Sequence, residues 1–103
     1  MVKMTSSVAI QRIADVPDDK RFWCSDGRTV KNLQELVTAL EQMSDETYRY
    51  HANDMKTDFA NWVRDVIGDD KLARDLLKSP ARLGAASAVS ERLAWFKGKA
   101  GSA

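Results

Sequence analysis

Asp58-Phe59-Ala60-Asn61-Trp62-Val63-Arg64-Asp65-Val66-Ile67-Gly68-Asp69-Asp70-Lys71-Leu72 is the stretch that sets the fold class. Phe59, Trp62, Val63, Val66 and Ile67 fall at i, i+3, i+4, i+7 and i+8, one apolar face at the helical period. Gly68 follows as the left-handed residue that ends a helix. Asp69-Asp70 then supplies a new N-terminal signal for a helix over 71–77, whose expected buried set is Leu72, Leu76 and Leu77. Just upstream, 53–57 (Asn53-Asp54-Met55-Lys56-Thr57) reads as a connection, because Asn and Asp stabilise turns through their own side chains and Thr57 stands where an N-cap belongs.

Working towards the N-terminus, Ser44 with Asp45 and Glu46 behind it starts a helix that runs to about Ala52. Before that, Leu33, Leu36, Val37, Leu40 and Met43 form a second apolar stripe. Asn32 and Glu35 stand three apart at its start, the spacing at which an N-cap side chain and an N3 carboxylate satisfy each other's amides. Phe22-Trp23-Cys24, Ser25-Asp26-Gly27-Arg28 and Thr29-Val30 read as two short strands about an Asp-Gly turn. Residues 1–19 lack a sustained period and end in Val16-Pro17-Asp18-Asp19. They are expected to form an arm with one short ordered piece around Val8–Ile13.

Towards the C-terminus, Ser79-Pro80 is a further start signal. Leu83, Ala86, Val89, Leu93 and Phe96 then support a last helix over 80–97, with 98–103 as a flexible tail. The fold expected is mainly α: a short N-terminal β-hairpin followed by four or five packed helices in a single domain. Its layout is an arm (1–19), a compact helical domain with the hairpin (20–79) and the terminal helix. The expected core is Phe22, Leu36, Leu40, Phe59, Trp62, Val63, Leu72 and Leu76.

Phe22, Asp26-Gly27, Asn32-Leu33-Gln34-Glu35-Leu36, Met43-Ser44-Asp45-Glu46, Tyr50-His51, Asp58-Phe59-Ala60-Asn61-Trp62-Val63 and Asp69-Asp70-Lys71-Leu72-Ala73 occur in order over residues 20–77. Together they resemble a small prokaryotic domain of unknown function, found in archaea and bacteria both alone and appended to larger chains. The resemblance implies a compact, mostly helical domain and no particular activity. Thr57 stands where that pattern has Asn.

At 103 residues, with 44% hydrophobic residues and 16 Lys+Arg against 15 Asp+Glu, the chain has room for one core and none for a multidomain enzyme. The net charge of +1 gives no bulk drive towards nucleic acid or anionic lipid. No stretch approaches the roughly 18 consecutive apolar residues of a membrane span. The first apolar run breaks too early for a signal-peptide core, and a single Cys fits a reducing compartment, so the expected location is cytoplasmic.

Two places merit attention as sites. His51, Asn53, Asp54 and Asp58 gather at a helix junction. One imidazole with two carboxylates suggests a metal or an acid/base pair, but zinc takes three or four ligands and His51 is the sole histidine. The favoured reading is structural, with His51 paired to Asp58, and no metal, cofactor or catalytic set is assigned. Cys24 with His51 and an acid has the residue types of a nucleophilic triad without any flanking motif, and the expectation for Cys24 is a buried apolar filler.

The second place is the terminal helix. Residues 1–78 carry 12 basic and 14 acidic side chains, whereas beyond them Arg82, Arg92, Lys97 and Lys99 face Glu91 alone. Leu93, Trp95 and Phe96 with Arg92 and Lys97 are the candidate partner-binding residues. The first functional expectation is a non-enzymatic interaction or regulatory module that self-associates or takes a protein partner through this helix. The alternative is weak nucleic-acid binding through Arg82, Arg92, Lys97, Lys99 and Trp95.

Overall fold

The structure, a computed structural model, describes residues 5–79 and 81–101. The local signals fix most of its elements. Helix α1 (Ser6–Ile13) is capped by Thr5, whose hydroxyl accepts from the Val8 N–H at 3.2 Å. A single 3-10 turn at Asp18–Lys20 leads into strands β1 (Phe22–Trp23) and β2 (Thr29–Val30), paired antiparallel with Phe22 opposite Val30. Gly27 turns the hairpin at φ +96°, a conformation that excludes most side chains.

Helix α2 (Leu33–Gln42) starts at Asn32, whose side-chain Oδ1 accepts from the Glu35 N–H at 2.7 Å. The Glu35 carboxylate reaches one residue further back than a standard capping box and accepts from the Lys31 N–H at 3.0 Å. Helix α3 (Asp45–His51) carries the expected Ser44 cap, with Thr47 N–H donating at 3.0 Å.

The connection expected over 53–57 is instead a second hairpin, β3 (Ala52–Asn53) with β4 (Lys56–Thr57). Its strands are too short to show a period of two. Helix α4 (Asp58–Trp62) widens over Val63–Ile67 into a π-helical turn, in which Gly68 N–H bonds Val63 O, five residues back, at 2.7 Å. Gly68 ends it at φ +88°. Neither Thr57 nor Asp69 caps through its side chain. Helix α5 (Asp70–Leu77) follows, and then α6 (Arg82–Ala100).

Six α-helices thus stand among the described residues, more than the four or five expected, with α1 the addition. The core joins all parts of the chain: Ala9 from α1, Phe22 and Val30 from the hairpin, Leu33, Leu36 and Leu40 from α2, Phe59 and Val63, Leu72 and Leu76, and Ala85, Val89, Leu93 and Phe96 from α6. Every residue of the expected core set is buried.

Helix α6 runs antiparallel to α2. Arg82 at its start donates to the carbonyls of Leu40 and Glu41, while Lys97 near its end lies 3.5 Å from Gln34. The described part of the expected arm is tied down by α1 against α6 and by Val16 N–H to Lys31 O at 2.8 Å, and just beyond it the Trp62 indole N–H donates to Lys20 O at 2.8 Å.

Three details differ from the sequence reading. Leu77 and Leu83 are exposed, because neighbours cover only part of each helix's apolar face. Helix α6 starts at Arg82 with Ala81 as N-cap and continues through Ala100, so 98–100 belong to the helix and not to a tail. Ser79, expected to open α6, closes α5 by donating its hydroxyl to Asp75 O. Pro80 and residues 102–103 lie outside the described residues.

Candidate functional site

His51, at the last turn of α3, is buried against Phe22, Phe59 and Tyr50, with ring centroids 5.2, 5.5 and 5.0 Å away. The Ser25 N–H in the β1–β2 turn donates to its Nε2 at 2.9 Å. Nε2 therefore keeps its lone pair, and the proton sits on Nδ1, which donates to Asp58 Oδ2 at 3.0 Å. Lys56 Nζ lies 3.0 Å from the same oxygen. One imidazole thus ties the first hairpin, α3 and the start of α4 together.

The other two residues of the expected junction do not join it. Asn53 accepts from the Met55 N–H and donates to Arg49 O and Tyr50 O, holding the β3–β4 turn and the end of α3, while Asp54 is exposed at the hairpin tip. Cys24 follows β1 within the first hairpin, its N–H donating to Arg28 O at 2.9 Å, and its side chain is buried. Burial first, and Asp26 second, push its thiol up to about 11, with Arg28 opposing. A thiol of that kind is protonated at neutral pH, and both ring nitrogens of His51 are engaged elsewhere. Among the described residues no group of three or more His, Cys, Asp or Glu side chains is placed to hold a metal ion.

The terminal helix divides differently from the sequence expectation. Leu93 is 6% exposed and Phe96 0%, so both belong to the core and are withdrawn from the partner-binding set. The physical reason is that α1 and α2 together cover more of α6 than one neighbour would. Trp95 remains at the surface, 40% exposed. Arg92 is partly buried, forked onto Asp69 with Nε and Nη2 donating at 2.7 and 2.9 Å, and its guanidinium stacks 4.3 Å from the Trp95 ring and 4.6 Å from Phe96.

Arg82 is equally committed, to Asp45 at 2.8 Å and to the two α2 carbonyls, and it holds the Asp45 carboxyl below the usual carboxylate range. Two of the four cations expected to contact nucleic acid therefore serve the fold. Lys97 and Lys99 remain, the latter 5.4 Å over Trp95.

What the sequence reading missed is the outward ridge of α6. Leu83, Ser87, Glu91, Trp95 and Lys99 recur every four residues and all are exposed. A groove of about 560 Å³ between α5 and α6 lies on one flank, lined by Lys71, Asp75, Ala88, Glu91, Arg92 and Trp95. On the other flank a groove of about 400 Å³ holds Glu41, Leu83, Ser87 and Glu91. The four-residue spacing was legible; which face it would occupy was not. Among the described residues, no helix is long and apolar enough to cross a membrane. No family model, no curated protein and no solved structure matches the chain.

Proposed function

We propose that the protein is a cytosolic, non-enzymatic interaction module that binds protein through the outward ridge of α6. The observation that carries this reading is Trp95: a large aromatic at the surface, held in place by Arg92, which Asp69 in turn fixes, beside a groove. Rigid aromatic and Arg side chains next to a pocket are the groups that anchor protein contacts. Leu83, 59% exposed three turns earlier on the same ridge, is a second apolar side chain at the surface. The engagement of both His51 nitrogens and the high thiol pKa of Cys24 argue against chemistry at the junction. The consumption of Arg82 and Arg92 by internal carboxylates argues against nucleic acid as the main partner.

A photo-crosslinking amino acid at Ser87, compared with one at exposed Asp19, tests the reading in the native cell. Covalent protein adducts are expected from position 87 and not from 19. Equal yields, or none from 87, overturn it.

A further inference from the structure

Resting on that reading, we infer that the occupant of the α6 ridge is a second copy of the chain, its α6 crossing the first antiparallel about a two-fold axis that passes between Ser87 and Glu91. The geometry begins with the ridge itself. Leu83 and Trp95 are twelve residues apart, about 18 Å along a helix, and the exposed residues between them on the ridge are Ser87 and Glu91, with Ser90 beside them. Rows spaced by four residues incline to the helix axis, so two such ridges lie parallel when their helices cross at about −50°, each seated in a groove beside the other. Here a groove flanks the ridge on both sides, and Glu91 lines both.

An antiparallel crossing centred between Ser87 and Glu91 sets Leu83 of one copy against Trp95 of the other and Ser87 against Glu91. The two exposed apolar side chains thereby cover each other, and the serines let the helices approach closely.

Charge selects the orientation. Glu41 lines the groove beside Leu83, and neither it nor Glu91 forms an ion pair among the described residues. Lys99 stands beside Trp95 at the other end of the ridge. Antiparallel pairing brings the Lys99 of each copy to the Glu41 of the other, twice per dimer. Parallel pairing sets Glu41 against Glu41 and Lys99 against Lys99. A two-fold contact must be self-complementary, and this surface carries both signs in the required places.

Sedimentation velocity on the full chain through a hundredfold dilution tests the proposal. The wild type is expected to show a species of twice the 11.5 kDa chain mass. Glu41→Lys and Lys99→Glu should each weaken dimerisation by about tenfold, and the double reversal should restore it. Both positions are exposed, and circular dichroism confirms the fold of each variant. A wild type that stays monomeric overturns the proposal, as does a dimer indifferent to either reversal or a double variant weaker than both singles. A monomer that still forms position-87 adducts with a different protein removes the second copy and leaves the interaction module standing.

Discussion

Replacing Asp69 with Ala should be among the most damaging single changes in the chain that leave its apolar core intact. The carboxylate is buried, and both its oxygens accept from Arg92, at 2.7 and 2.9 Å. Its removal strands a guanidinium in the wall between α5 and α6. Breaking a buried pair from one side costs about 3–5 kcal/mol, and the open groove beside Arg92, where water can reach the orphaned charge, places the loss near about 3 kcal/mol. For a domain of this size each kcal/mol moves Tm by about 4–8 °C, so a fall of about 12–24 °C is expected by calorimetry. No helix cap is lost in the exchange, since the Asp69 side chain makes no capping bond to α5.

The partner substitution Arg92→Met, which keeps an apolar stem but strands Asp69, should cost a similar amount. The double variant should then recover most of the loss, giving a coupling energy of at least about 2 kcal/mol. A Tm within a few degrees of wild type for Asp69→Ala, or additive costs in the double variant, would refute the reasoning.

Three further expectations come from the junction and the turns. His51→Ala strands the Ser25 N–H, leaves the Asp58 carboxylate to Lys56 alone and opens a cavity among aromatic rings, for a loss of about 3 kcal/mol in urea unfolding; an unchanged midpoint would count against the structural role. Cys24 adds a pH dependence: the unfolded thiol ionises from 9.0 while the native one keeps its proton to about 11, so the unfolded state gains stability as pH rises between these values. Wild type should lose about 2 kcal/mol relative to Cys24→Ala between pH 9 and pH 11, Tyr48 titrating alike in both, and parallel curves would contradict it. Gly68→Ala places a Cβ at φ +88° and 3.2 Å from the Arg12 guanidinium, a flexible tip that can move, so the backbone sets the cost at about 1–2 kcal/mol; a neutral result would mean the turn relaxes.

The elements written in contiguous residues were the legible ones. Asn32 with Glu35, Ser44 before Thr47, Asp26-Gly27 and Gly68 each act through bonds or dihedrals a few residues away, and each does so in the fold. The β3–β4 hairpin was hidden because its strands have two residues each and its turn relies on the Asn53 side chain instead of a glycine. Helix α1 was half-seen: its fully buried residue is Ala9, too small to mark a face.

For the sites, His51 with Asp58 was visible because seven residues and one helix junction separate them. Asp69 was read as a cap from its local context, whereas its partner lies 23 residues on, across an interface that no local pattern encodes. The same limit explains Leu93 and Phe96. A sequence displays an apolar face, and only the packing of α1 and α2 decides how much of it stays uncovered.

The claim that binding resides on the outward ridge of α6 is tested most directly by backbone amide spectra of the labelled chain. They are recorded alone at rising concentration and then in lysate of its own cells. Selective shifts or broadening at Leu83, Ser87, Glu91 and Trp95, with the amides around His51 and Asp58 unmoved, is the expected result. Perturbation centred on the His51 junction, or none that singles out α6, would contradict it.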